Sequence, residues 1–297
     1  RSRTRPVFLI IASMIGALAV IVWFGVRLGL YPLIDLENAI AQRSASDLSA
    51  IRRPIPVEVS DIVGRINSLL DELKRTLEAK DVFISDAAHQ LRNPIAGVLA
   101  LAESVKAAKT PEVLQIRSDD LIEAAQETAL LANDLLTLER ARAVPREDAL
   151  TRFDATALIE DVANKFGKTA EGAGVSFQCD IPNPVVPLFG DPVLFEQALL
   201  NTLTNALTHG GPTLSEITLS AHVRAKTLII IVGDNGKGIQ PRDFETALAR
   251  FSQITPASGS GLGLPIAQAI AETFDGKIEL KSGQDTFAVE LHFTIAT

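Results

Sequence analysis

The chain has 297 residues, a formal net charge of −8 and 47% apolar residues. That length accommodates about two ordinary domains plus smaller elements, and the apolar share suffices for a core, which excludes a disordered chain. The acidic excess is offset by no long basic run, which argues against a nucleic-acid binder, and the single cysteine, Cys179, cannot form an internal disulfide and reads as a buried small hydrophobe.

Residues 7–26 run for twenty positions without a charge. As a helix rising about 1.5 Å per residue they match the roughly 30 Å hydrocarbon core of a bilayer. A cleaved signal peptide is the rival reading, since Arg1, Arg3 and Arg5 resemble its basic start. The apolar run is too long for that, and Trp23-Phe24-Gly25 makes a poor cleavage site. The positive-inside count slightly favours a cytoplasmic N-terminus. The chain begins at Arg1 rather than Met, so an upstream part is expected.

Two helical patterns follow, over residues 33–48 and 57–79. Ile62, Ile66, Leu69, Leu73 and Leu77 recur at spacings of three and four, the seam of a coiled coil. Between the patterns, Arg52-Arg53-Pro54-Ile55-Pro56 cannot continue a helix, because each proline lacks a backbone N–H and disfavours helix at the residue before it. Two helices joined by an extended connector make a small parallel bundle suited to relaying a mechanical signal; an inert spacer is the alternative. The second pattern continues past Phe83 to His89, with a kink expected at Pro94. A further helix over 111–142 carries Leu121, Ala125, Thr128, Leu131, Leu135 and Leu138 on one stripe, with Pro111 near a favourable first-turn position. One such hairpin leaves apolar faces wet, so a homodimeric four-helix bundle is expected.

Residues 143–151 read as a linker. Beyond them, helices at 154–171, 191–209 and 262–274 alternate with strands at 175–180, 216–222, 227–233, 277–281 and 286–295. This predicts an α/β domain with helices on one face of a mixed sheet.

Four segments carry the chemistry, in fixed order. The first, Phe83-Ile-Ser-Asp-Ala-Ala-His89-Gln90-Leu-Arg-Asn93-Pro94, sets an imidazole on a helix. A neutral imidazole held on a helix surface can attack the γ-phosphorus of a docked nucleotide. Next, Asn201 and Asn205 lie four apart and project from one helical face. Asp234-Asn-Gly236-Lys-Gly238 then turns sharply after a strand. Last, Gly259-Ser-Gly261-Leu-Gly263 opens an apolar helix, whose first N–H groups can face phosphate oxygens. Each alone has an ordinary reading: a solvated histidine, asparagines that cap or bridge helices, a simple turn. Their order makes coincidence a poor explanation.

On these motifs residues 81–297 resemble the catalytic core of a bacterial sensor histidine kinase, and residues 31–80 its HAMP relay. The resemblance implies a multidomain chain: a transmembrane helix at 7–26, the relay at 31–80, a dimerisation and phosphotransfer domain at 81–144, and an ATP-binding α/β sandwich of the GHKL type at 152–297. It implies that His89 takes phosphate from ATP and passes it to an aspartate of a response regulator, and that the same chain dephosphorylates that regulator. Gln90 and Asn93 join His89 as catalytic residues. Asn205 is implied as the Mg²⁺ ligand, Asn201 as a contact to the phosphates or the ion, His209 as a further nucleotide-binding residue, Arg250 as a contact to the γ-phosphate, and Asp234 as acceptor of the adenine amino group. Gly236 and Gly238 would turn over the base; Gly259, Gly261 and Gly263 would line the phosphates. Since ATP is cytosolic, the catalytic domains are expected in the cytoplasm beneath the inner membrane, which overrules the positive-inside count.

The chain departs from the family pattern at several places. Gln90 stands where a carboxylate is commoner; its amide oxygen can accept the ring N–H but cannot take up a proton. Asn93 replaces a frequent Thr. Thr208 and Gly210 replace a basic and a hydroxyl residue, leaving His209 as the local match. Asn201, where gyrase-type ATPases place a glutamate, is a poor general base and favours transfer over hydrolysis. The competing functions are a degenerate nucleotide-binding scaffold and a gyrase-like ATPase.

Overall fold

The computed structural model describes residues 13–27, 31, 34, 37, 44, 47–52, 57–143, 150–181, 185–252, 260–283 and 286–295. Two compact units are present, Arg1–Ala88 and His89–Thr297.

In the first unit, residues 13–27 form helix α1 with its side chains exposed. Among the described residues no helix is long and apolar enough to cross a membrane; residues 7–12 of the expected span lie outside them. Residues 31, 34 and 37 are helical, but 44 and 47–52 are not, so the first helical pattern stops before Leu48. Asp47 supplies a reason: its carboxylate accepts the Ser49 N–H at 3.1 Å, a local turn that competes with helix. The connector prolines lie outside the described residues. Beside them Ile51 is buried and pinned by one side chain, its N–H donating to Asn67 Oδ1 at 2.7 Å and its carbonyl accepting from Asn67 Nδ2 at 3.3 Å. Asn67 belongs to helix α2, Val57–Lys106, which is 50 residues long. The seam residues Ile62, Leu69, Leu73 and Leu77 are all exposed in the single chain.

Pro94, where a kink is expected, lies inside α2, which continues beyond it to Lys106. The proline removes one N–H, leaving the Gln90 carbonyl without its i+4 donor, yet the other turns hold the helix together. Helix α3, Pro111–Arg142, begins after Thr110, whose hydroxyl accepts the Val113 N–H at 3.4 Å. Arg117 Nη1 donates to the Ser104 carbonyl at 2.6 Å and ties the two helices near the turn.

The rest of the second unit is the α/β domain. Strands β2 (Ser176–Asp180), β4 (Glu216–Arg224), β5 (Thr227–Asp234), β6 (Lys277–Ser282) and β7 (Phe287–Thr294) form one sheet in the order β2-β4-β5-β7-β6. Only β2 and β4 are parallel, so the sheet is mixed as expected. Strand β1 (Thr151–Asp154) pairs antiparallel with β3 (Pro187–Gly190) in a separate ribbon. Neither is legible in the sequence: four residues are too few for a period, and Thr151 belongs to a strand rather than to the expected linker.

Helices α4 (Ala155–Gly172), α5 (Pro192–His209) and α7 (Gly263–Thr273) supply the buried faces Ile159/Val162/Phe166, Phe195/Leu199/Leu203 and Ile266/Ile270. They meet inward strand residues such as Leu228, Ile230, Leu291 and Phe293, all fully buried. Phe195 is the hub of the core, with ring centroids 4.9 Å from Phe293, 5.4 Å from Phe153 and 6.1 Å from Phe274. A short 3₁₀ turn, Pro241–Asp243, and helix α6, Phe244–Leu248, lead toward residues 253–259, outside the described set. Cys179 is exposed, contrary to expectation. It sits on edge strand β2, where a single neighbouring strand gives less cover than a central position.

Candidate functional site

Helix α5 starts at Asp191, whose Oδ1 accepts the Val193 N–H at 2.9 Å, followed by Pro192 in the first turn. The buried face of α5 faces the core, which leaves Asn201 and Asn205 half-buried on its flank. Asn201 Nδ2 is inaccessible and has no hydrogen-bond partner among the described residues, a costly state for a donor unless a ligand completes it. Asn205 lies against the start of α7: a side chain at Gly263 would meet the Asn205 amide within 2.6–3.0 Å, so only glycine permits this approach.

Strand β5 alternates along its length, and its inward set Leu228, Ile230 and Val232 continues to Asp234. Period two therefore carries a carboxylate into the domain, where it is 8% exposed. Burial pushes its pKa up, partly offset by the Gly236 N–H, which donates to Asp234 Oδ1 at 2.9 Å. The following turn closes onto the end of α5, with Lys237 N–H donating to the Gly210 carbonyl at 2.8 Å. Gly236 packs against Gly210 so closely that no side chain fits there. Gly238 adopts φ +59°. His209, one residue away from Gly210, is an exposed residue whose ring is partly desolvated; that desolvation first, and Lys237 second, lower its pKa and favour the neutral ring.

At the α7 N-terminus Gly261 has φ +66°, in the left-handed region that glycine adopts without strain. Gly259 lies outside the described residues. Arg250 and Phe251 are half-buried, and Phe251 itself has φ +57°. The structure thus brings two of the predicted glycine turns onto helix α5, Gly263 against Asn205 and Gly236 against Gly210 next to His209, whereas Gly238 lies by Phe287 and Gly261 by Phe251 and Ser252. Sequence reasoning missed two neighbours: Lys237, inside a motif read for its glycines, and Ser260, whose hydroxyl donates to Asp134 Oδ2 of α3 at 2.8 Å. Nothing in the pattern of α3 singled out Asp134.

On the hairpin, His89, Gln90 and Asn93 are all exposed on α2. Arg92 Nη1 lies 3.5 Å from His89 Nδ1.

A hairpin bearing an exposed histidine, joined to an α/β domain with an asparagine helix and two glycine turns, defines the architecture of a phospho-acceptor domain coupled to a GHKL-type ATPase. Comparisons with known proteins agree. Residues 79–144 match the His Kinase A (phospho-acceptor) domain, and residues 190–295 match the histidine kinase-, DNA gyrase B- and HSP90-like ATPase. The chain is 27% identical over 275 residues to the sensor protein kinase PmrB of Pseudomonas aeruginosa, covering 91% of this chain and 57% of that protein. It is 30% identical over 260 residues to the sensor protein IrlS of Burkholderia pseudomallei, covering 84% and 54%. It therefore spans little more than half the length of these relatives. The fold resembles that of the Acinetobacter baumannii histidine kinase AdeS, with a TM-score of 0.56, 21% identity and coverage of 70% of this chain and 98% of that one. This chain belongs to the bacterial sensor histidine kinases.

Proposed function

We propose that the chain is an ATP-dependent protein-histidine kinase: His89 attacks the γ-phosphate of ATP, and the phosphoryl group then passes to an aspartate of a response regulator. The observation that carries this reading is that helix α5 is met at Asn205 by the α7 N-terminus and at its C-terminal end, Gly210, by the turn that follows the buried Asp234. Asp234 is suited to accept the adenine amino N–H, and the first amides of α7 are suited to phosphate oxygens. The orphan Asn201 Nδ2 is a donor and so fits an anionic oxygen better than a cation. Asn205 is the residue we assign to Mg²⁺, with His209 and Arg250 as further phosphate contacts; the ion's contribution is to neutralise charge on the phosphates.

The hairpin residues set the state of the nucleophile. Guanidinium nitrogens only donate, so the Arg92 contact on His89 Nδ1 belongs to the tautomer carrying its proton on Nε2. Attack through Nε2 requires the opposite tautomer. Gln90 Oε1 is the neighbouring acceptor able to hold an Nδ1–H, so Arg92 gives way to Gln90 before reaction. Asn93 would orient a water when the regulator is dephosphorylated.

The exposed apolar stripe of α2 and α3 supports a homodimer, and the uncharged run at 7–26 supports anchoring in the inner membrane with a HAMP-type relay at 31–80. A scaffold without transfer remains the rival, since Gln90 lacks the carboxylate. Incubation with γ-labelled ATP separates the two: acid-labile, alkali-stable label on the chain is expected, and nucleotide binding without label would establish the scaffold.

A further inference from the structure

Helix α3 is exposed over most of its length, with Ile116, Ile122, Leu130 and Leu136 at 55–69% exposure, yet Leu135, Leu138 and Ala141 are buried. This end of α3 packs on α7. Two polar contacts accompany the apolar one. Ser260 Oγ donates to Asp134 Oδ2 at 2.8 Å, and Arg140 Nη2 donates to Asp191 Oδ2 at 2.6 Å. Asp191 is 7% exposed and spends its other oxygen on the cap of α5. Both contacts therefore join the phospho-acceptor hairpin to the nucleotide domain.

Ser260 lies within the glycine stretch that opens α7, and its hydroxyl also accepts the Leu262 N–H at 3.3 Å. A phosphate arriving there meets a hydroxyl already committed to Asp134. It also meets a second anion, because the Asp134 carboxylate stands beside the same helix terminus. Burial already raises the pKa of that carboxylate, so the site is a poor one for additional negative charge.

We infer that Asp134–Ser260 and Arg140–Asp191 form a two-point tether that parks the nucleotide domain on α3, and that phosphate at the Ser260 stretch opposes the tether. The inference rests on the nucleotide reading of the site. Asp134 and Arg140 are positioning residues: they act through Ser260 and Asp191 rather than on the reacting atoms. Coupling of this kind is reciprocal, so the factor by which the tether weakens nucleotide binding is the factor by which nucleotide loosens the tether.

The test uses the full chain and the non-hydrolysable analogue Mg-AMPPNP. Asp134→Asn and Arg140→Gln are each expected to tighten analogue binding about fivefold, the lower end of ordinary coupling between sites. Arg140→Lys, which keeps a cation for Asp191, is expected to return affinity toward the wild type. Saturating analogue is expected to raise backbone hydrogen exchange in residues 134–142 of the unaltered chain. Unchanged or weaker affinity in both Asp134→Asn and Arg140→Gln would overturn the tether, as would unchanged exchange in that segment with analogue bound. An unaltered chain that binds no analogue would remove the nucleotide reading itself, and the tether with it.

Discussion

The hairpin and the nucleotide domain solve the problem of apolar surface in opposite ways. In the domain, Phe195, Phe293, Leu199 and Leu203 are fully buried by elements of the same chain. On the hairpin, Ile95, Leu99, Ile122 and Leu130 are 55–64% exposed. The first region is complete alone; the second holds its helix through local bonds and leaves its packing to another surface. Burial, more than helix content, distinguishes a self-sufficient unit from one that calls for a partner.

The sharpest separation concerns chemistry. His89→Gln is expected to abolish stable labelling from ATP while analogue affinity and oligomeric state stay unchanged, because His89 is an exposed residue of the hairpin and the nucleotide residues belong to the α/β domain. Labelling that survives the substitution would break the assignment. The next largest effect tests folding. Phe195→Ala should cost the nucleotide domain about 3–5 kcal/mol, with a denaturation midpoint independent of protein concentration. Leu99→Ala should lower a midpoint that does vary with concentration; a concentration-independent midpoint for that helix would end the contrast between the two regions.

Within the pocket, Asn205→Ala is expected to weaken Mg²⁺-dependent ATP binding about 10- to 100-fold, the size of losing a bond to a charged group, without lowering the unfolding midpoint. An unchanged titration would make Asn205 structural. Asp234→Asn should cost about tenfold in preference for adenine over guanine nucleotides. It should also stabilise the empty domain at pH 7. The sign follows from burial: with the folded pKa raised, ionisation is disfavoured in the native state, so stability falls as pH climbs from about 4 through the raised value. The asparagine has no such decline, and melting curves from pH 3 to 8 would show the two proteins converging at the acid end. The smallest effect is Gln90→Glu, expected to raise the initial rate at saturating Mg-ATP by less than about tenfold, because positioning and charge stabilisation dominate phosphoryl transfer. Loss of activity would instead assign Gln90 a hydrogen bond that a carboxylate cannot replace.

Much of this was legible from periodicity. The strand at 216–224 alternates in sequence over most of its length, that at 227–234 shows itself by β-branched composition instead, and the helices at 155–172 and 192–209 fall within a residue of their expected bounds. The glycine turns and the Asn201/Asn205 pair pointed to the candidate site because their spacing has a mechanical meaning. The misses are equally physical. Strands β1 and β3 are too short to show a period, and Cys179 follows the composition of a core residue on a sheet edge. The Asp134–Ser260 bond joins residues 126 positions apart, and no local signal encodes such a contact.

The outer face of β6 and β7 has a consequence for solubility. Lys277 and Lys281 of the edge strand pair with Glu279 and with Glu290 of its neighbour, and His292 Nε2 lies 3.5 Å from Glu290 Oε2. A foreign strand adding to β6 would have to bury two lysines and unpick this lattice, so the sheet edge repels its own kind. At the crowding of an expressing cell, that charge steers association away from cross-strand aggregation and leaves the helical stripe as the surface free to recruit.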